Sequence, residues 1–449
     1  MAKRKRANKL KWWQIVLRIF GGILGFIFCF YCFSGIVNAC VNTSRNKYAK
    51  SFEAVKYESR PELVKEDGYY TFRTDGEFKI MQLTDVHIGG GYWSAGKDRT
   101  TLKEVATMIS EEKPDLVVVT GDLAYPVPFQ AGTLNNKAAA KTFATLMEEL
   151  GVYWTLCFGN HDTEAYSYFD RKEMYEFYTS GKFEHCLLSD VPSFVNDEGE
   201  TVCVDGYGNG VIQIKSSSGD LKHAVILFDS HAYLPDDPWG VKWGYDYIKD
   251  NQIEWYEYEI KRLQNENPAV TSSAYFHIPL YEMRDAYHAL KDAGVKTYEN
   301  EGEDLSGRNI TAEGYDGKIN TITYFKGSFG ENPKKDMVYS SDVRVSLFNK
   351  MAELGSTKAV FTGHDHLNNL IVTVQSENGN EIDLVYGMSV DNLAYFGITK
   401  YGRQRGCTVI TVGAGGEFDT GDIALKNYYK DFEGVSEKEK NKVRFDPMY

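Results

Sequence analysis

Five short motifs stand in order along this chain, and each directly follows a short apolar run. Asp85-Val86-His87 follows residues 78–83, Gly121-Asp122 follows 116–120, and Gly159-Asn160-His161-Asp162 follows 154–158. His277 comes after 274–276, and Gly363-His364-Asp365-His366 after 359–362. Runs of this length and composition read as buried strands, and the stretches at 101–109, 141–150, 253–263 and 343–354 carry apolar residues at helical spacing. Strand alternating with helix is the grammar of an α/β fold, and about ten strands against about five helices call for more than one sheet, with helices outside. The carboxyl ends of strands in such a fold share one rim, so the five loops are expected to converge on one crevice. Residues 295–340, rich in Gly, Asn, Asp and Lys without period, read as an irregular substrate loop or surface insertion.

The motif residues share one chemistry. Asp85, Asp122, the Asn160 carbonyl and the imidazoles of His87, His277, His364 and His366 form a hard-to-borderline donor set that suits Mn, Fe or Zn, unlike the thiolate set of a structural zinc site. Five of the nine histidines fall inside the motifs, which scattered core or surface histidines would not do. With Asp122 bridging, two divalent or trivalent ions roughly 3.5 to 4 Å apart would hold a shared hydroxide and neutralise a phosphoryl group under attack. His161 is expected beside the leaving-group oxygen as a proton donor, with Asp162 orienting its imidazole and raising its pKa. His185, His223 and His288 read as ordinary surface or core residues, and His231 stays open. Arg403 and Arg405 are candidates for binding the non-transferred phosphate oxygens. The glycines at 89–91 read as a tight rim loop, since no phosphate-cradling helix start follows them.

Taken in order, the motifs resemble those of the calcineurin-like metallophosphoesterase family, over residues 77–415. More narrowly the chain is similar to phosphatases related to purple acid phosphatases, through Phe228-Asp229-Ser230, Gln252-Ile253-Glu254-Trp255, Phe276-His277-Ile278-Pro279, Gly363-His364-Asp365-His366-Leu367-Asn368 and Tyr401-Gly402-Arg403 with Arg405. The resemblance implies a four-layer α/β (α+β) sandwich, two mixed sheets flanked by helices, that hydrolyses phosphomonoesters or phosphodiesters. It also implies a division of ligands: Asp85, His87, Asp122 and His366 for one ion, Asp122, Asn160, His277 and His364 for the other. Purple enzymes replace the first-motif histidine with a metal-bound tyrosine in Gly-Asp-x-x-Tyr. This chain has both His87 and Tyr125, so His87 is expected to ligate and Tyr125 to stand behind the ligands or apart from them. Two rival readings are an inactive binding protein on the same fold, and a phosphoprotein phosphatase.

The N-terminus adds a second theme. Residues 1–18 hold seven basic residues and no acid, so against a whole-chain charge of −13 the remainder carries −20. A globule that acidic repels polyphosphate backbones, and no nucleic-acid binding is expected. Residues 19–37 carry no charge and as a helix would extend roughly 28 Å, near bilayer thickness, with Trp12 and Trp13 placed as interface anchors. The expected organisation is therefore a cytoplasmic basic segment at 1–18, a transmembrane helix at 19–37, a stalk at 38–70, an extracytoplasmic catalytic domain at 71–415 and a C-terminal extension at 416–449. Cleavage after Val37-Asn38-Ala39, releasing the globule, is the alternative, and Cys40 faintly extends it toward a lipidation site. No zinc-knuckle spacing is present, while a Cys186–Cys203 disulfide and the oligomeric state stay open.

Overall fold

The computed structural model describes residues 11–331, 337–395 and 405–428. Its strands separate two cores by simple alternation. In Phe78–Leu83, Phe78 and Ile80 point to one side and Met81 and Leu83 to the other; in Leu116–Thr120, Leu116 and Val118 oppose Val117 and Val119. Both faces are buried, as expected of parallel strands covered on two sides.

These two strands belong to a five-stranded sheet ordered Ile423–Asn427, Gly406–Val412, Phe78–Leu83, Leu116–Thr120, Trp154–Cys157. A larger mixed sheet has eleven strands, with Leu221–Leu227, Thr271–Tyr275, Thr357–Thr362 and Glu381–Tyr386 as parallel neighbours at its centre. The sheets face each other across a core that includes Ile80, Val118, Leu227, Tyr275 and Phe361. Four helices come first in the chain: α1 (Trp12–Ala49), α2 (Ala95–Glu112), α3 (Pro128–Ala131) and α4 (Asn136–Leu150). α2 and α4 cover the outer face of the smaller sheet, and Asp250–Glu266, Tyr281–Asp292 and Leu347–Leu354 cover that of the larger. The result is an α/β fold with mixed sheets between helical layers.

Three expectations change. Residues 295–340 are not irregular throughout: Asn300–Asp304, Ile310–Glu313 and Ile319–Ser328 form strands that extend the larger sheet. Ile319–Ser328 pairs with Asn369–Gln375, and the half-exposed Asn300–Asp304 and Ile310–Glu313 pair in turn with Ile319–Ser328, so their order is built outward from that neighbour. The smaller sheet continues past 415 through Ile423–Asn427, while 429–449 lie outside the described residues. Cys186 and Cys203 are both free thiols.

The third change concerns the N-terminus. Residues 38–49, expected as stalk, continue α1 without a break and dock on the globule. Asn38 accepts from the Tyr92 amide at 2.9 Å and donates to Gly132 O at 3.1 Å. Arg45 is buried, 3.0 Å from the Asp98 carboxylate and 2.7 Å from Gly91 O, and Asp98 in turn accepts from the amides of Gly89 and Gly90. Much of the anchoring is polar, and among the described residues of the helix only Tyr48 and Ala49, at its end, join the apolar cluster, so no apolar stripe announced it. Among the described residues no helix is long and apolar enough to cross a membrane, so the structure does not support the span expected at 19–37. Arg45→Ala leaves Asp98 buried without its cation and should lower unfolding free energy by about 3–5 kcal/mol, read by chemical denaturation; a change under about 1 kcal/mol would show the pair to be idle.

Candidate metal centre

The loops after five strands, three from the smaller sheet and two from the larger, meet at one rim. Tight backbone geometry holds them there. Asp85, His87, Asp122 and His364 all have positive φ, between 49° and 82°, a conformation L-residues adopt rarely and which marks functional sites. The amides of Asp85 and His87 bond to the carbonyls of Gly121 and Asp122, and the Gly363 amide to His277 O, so neighbouring loops brace each other. Two motif glycines are there because nothing larger fits. A Cβ on Gly159 would stand 2.1 Å from Asp122 Oδ1, and one on Gly363 only 1.8 Å from Thr84 Oγ1.

Two buried donor groups result. Asp85, His87, Asp122 and His366 bring one ligand atom each to within 4.8 Å of one another, and Asp122, His277 and His364 do the same beside them. Asn160 joins the second group, its Oδ1 3.1 Å from His277 Nε2. Asp122 is common to both. All seven residues read as ligands from the sequence are therefore together, in the division the resemblance implied.

The donors also face the right way. His277 Nδ1 donates to Thr120 O at 2.9 Å, which leaves its Nε2 toward Asp122 at 3.3 Å and toward His364 Nδ1 at 3.3 Å. One carboxylate does this for two rings at once: Asp391 Oδ1 lies 3.2 Å from His87 Nδ1, and Oδ2 lies 3.2 Å from His366 Nδ1. The Nε2 atoms of His87 and His366 are thereby turned to Asp122 and Asp85. Burial disfavours a charged His87, yet Asp391 and Asp122 outweigh it and push it up to about 10; against the same penalty Asp122 pushes His277 up to about 9. A cradle that holds protons so firmly is short of positive charge, and two cations exchanged for those protons fit it.

The family model for calcineurin-like phosphoesterase matches residues 78–307, more than half of the chain. The chain belongs to the calcineurin-like phosphoesterase family. Among curated proteins it is similar to Probable inactive purple acid phosphatase 28 of Arabidopsis thaliana, 27% identical over 357 residues that cover 74% of each chain. Probable inactive purple acid phosphatase 29 of the same plant is also 27% identical, over 76% of this chain and 78% of that one. Phosphatase DCR2 of Saccharomyces cerevisiae is 29% identical over 46% of this chain and 36% of its own. A solved dimetal phosphatase from Danio rerio aligns with 70% of this chain and 87% of its own, at 11% identity and a TM-score of 0.40.

Around the ligands, this calcineurin-like phosphoesterase departs from expectation at two residues. Asp162 does not orient His161. Its carboxylate accepts from the amides of Asp122, Gly159 and Ala124 at 2.8–2.9 Å, which fixes the bridging loop instead. Glu164 takes the expected role, 2.6 Å from His161 Nδ1, and one turn of 3₁₀ helix at His161–Thr163 brings it round. Arg405 does not reach a phosphate site: it is buried behind the ligands, 3.2 Å from Glu104 and 2.5 Å from Asn392 Oδ1, next to Asp391. Arg403 lies outside the described residues.

Other residues of the subgroup motifs turn out to be braces. Asp229 pairs with Arg171, which also donates to Gly159 O at 2.9 Å, and Ser230 Oγ accepts from the Ile278 amide. His231 bonds Gln252 at 3.0 Å, and His223 is satisfied in the core by Thr271 and Ser273. The Tyr125 ring packs 4.7 Å from His87 and 4.8 Å from His161, with burial first and Asp391 next keeping its phenol protonated. Asp391 and Glu164 escaped sequence reading because neither sits in a motif; only folding places them. Asp391→Asn can offer an amide to one ring and an acceptor to the other, so one histidine must turn its N–H toward the ion site. Metal affinity should fall 10- to 100-fold, with one ion per chain recovered after dialysis; two retained ions would refute the role of Asp391.

Proposed function

We propose that this chain is a catalytically active dinuclear-metal phosphoester hydrolase, acting on phosphomonoesters or phosphodiesters. One observation supports this most: all seven ligand-type residues converge around a shared Asp122, and Asn160, His364 and His366 among them line an open pocket of about 440 Å³. Curated relatives carry "inactive" in their names. A decayed site loses ligands, and this one keeps every one of them oriented.

A pair of ions held here would supply a nucleophile at neutral pH and neutralise the phosphoryl oxygens. The remaining chemistry belongs to the protein. His161 lines the pocket, with its backbone amide 2.8 Å from Asp122 Oδ1 and its Nδ1 on Glu164. Burial opposes its protonation, but Asp122 and Glu164 prevail and raise it above the ordinary histidine value. With Nδ1 engaged, Nε2 is the atom that gives its proton to the departing oxygen, and Glu164 steadies the ring as it does so. Asp162 and Arg171 act only on the loops, keeping Asp122 and Asn160 in place.

The same proposal puts the domain outside the cytoplasm, attached through α1. Its support is the basic cluster before the apolar stretch and the exposed Phe20, Ile23, Leu24, Phe33 and Ile36 on that helix. Two experiments test the whole. In the metal-loaded chain, Asp122→Asn or His161→Ala should reduce hydrolysis of an aryl phosphate by about 100-fold or more, and retention of activity in both would defeat the assignment. Protease added to intact cells should remove the domain; protection until cells are permeabilised would reverse the topology.

A further inference from the structure

Residues 233–245 form a loop over the pocket and supply none of the seven ligand-type residues. Tyr233 and Tyr245 close its base, paired as an antiparallel bridge with their rings stacked at 5.8 Å. Inside it, the Asp237 carboxylate accepts from the amides of Val241, Lys242 and Gly244 at 2.9–3.1 Å. This tie holds two large apolar side chains out at the pocket rim, Trp239 at 60% exposure and Trp243 at 46%. Trp243 has φ 61°, a left-handed conformation that a bulky aromatic residue rarely takes. Strain and exposed indole together are features a fold sheds unless a ligand uses them.

The loop's connections say which part of the substrate it meets. Tyr233 Oη accepts from Asn160 Nδ2 at 2.8 Å and donates to Glu164 Oε1 at 3.2 Å, the same oxygen that holds His161. The Tyr245 ring stands edge-on to His364 at 4.3 Å, and Trp243 edge-on to Tyr339 at 5.5 Å. The loop is thus wired to the proton donor, and in the proposed hydrolase that donor faces the leaving group. Glu164, which lines the same pocket, is unfavourable to a leaving group with its own negative charge.

We infer that residues 233–245 form a leaving-group subsite in which Trp239 and Trp243 pack on an aromatic ring, so that the substrates are phosphate esters of uncharged aromatic alcohols. This rests on the hydrolase reading, but its test does not need turnover. Phenylphosphonate and methylphosphonate present the same phosphoryl oxygens to the ions and cannot be hydrolysed, and they differ only in the ring. Titrated calorimetrically into the full chain reconstituted with Mn²⁺, phenylphosphonate should bind at least tenfold more tightly than methylphosphonate. The double variant W239A/W243A should bring the two within about twofold by weakening only the phenyl compound, and W239F/W243F should restore most of the difference, since phenylalanine keeps an aromatic face for the ring. Equal affinities in the unsubstituted chain, or a preference that survives the double alanine variant, would overturn the subsite. Failure of the hydrolase reading shows elsewhere, as absent turnover of aryl phosphate by a chain that still discriminates between the two phosphonates.

Discussion

The carboxylate of Asp122 is the point on which the site depends. It is fully buried, belongs to both donor groups, and takes a hydrogen bond from the His161 amide through the oxygen that a side chain at position 159 would displace. Burial alone would favour the neutral acid, yet His277 and His161 hold its pKa well below the usual carboxylate range. An anion kept charged inside a protein needs cations at hand. The histidines around it, the left-handed turn at residues 121–122 and the three amides gathered by Asp162 all serve that requirement.

How much of this is legible in the sequence follows from how local each signal is. Ligands announce themselves because each sits one to four residues beyond a strand, and the strand pattern is a short-range property. The pattern alone therefore suffices to put Asp85, His277 and His364 on a common rim. It does not suffice for the supporting residues. Asp391 reaches His87 across 304 positions of chain and Glu164 looks like any acidic residue after a turn; their roles exist only in three dimensions. Asp162 misleads for a related reason: adjacency in sequence suggests a partner for His161, while the 3₁₀ turn aims the two side chains apart. Arg405 misleads because an arginine close behind Tyr401-Gly402-Arg403 suggests phosphate, whereas its burial against Glu104 makes it a strut.

Fold-level reading fails where order is borrowed. The strands at 300–328 take their conformation from neighbours, Ile319–Ser328 from Asn369–Gln375 and the other two from Ile319–Ser328. The end of α1 is similar: Asn38, Asn42, Arg45 and Asn46 have no apolar period, and polar contacts across α2 and α4 decide their place. The consequence is a helix docked on the globule where a stalk was expected. The Arg45–Asp98 pair fastens the helix to the glycine loop that begins two residues after His87.

Ligands drawn from both sheets have a bearing on assembly. Asp85, Asp122 and Asn160 ride on the smaller sheet, His277 and His364 on the larger, and neither sheet alone possesses a complete binding set. Ions bound there would therefore act as rivets between the two halves of the sandwich, adding to cohesion in step with their free concentration. Ion scarcity would thus weaken the grip of one sheet on the other as well as the chemistry at their junction.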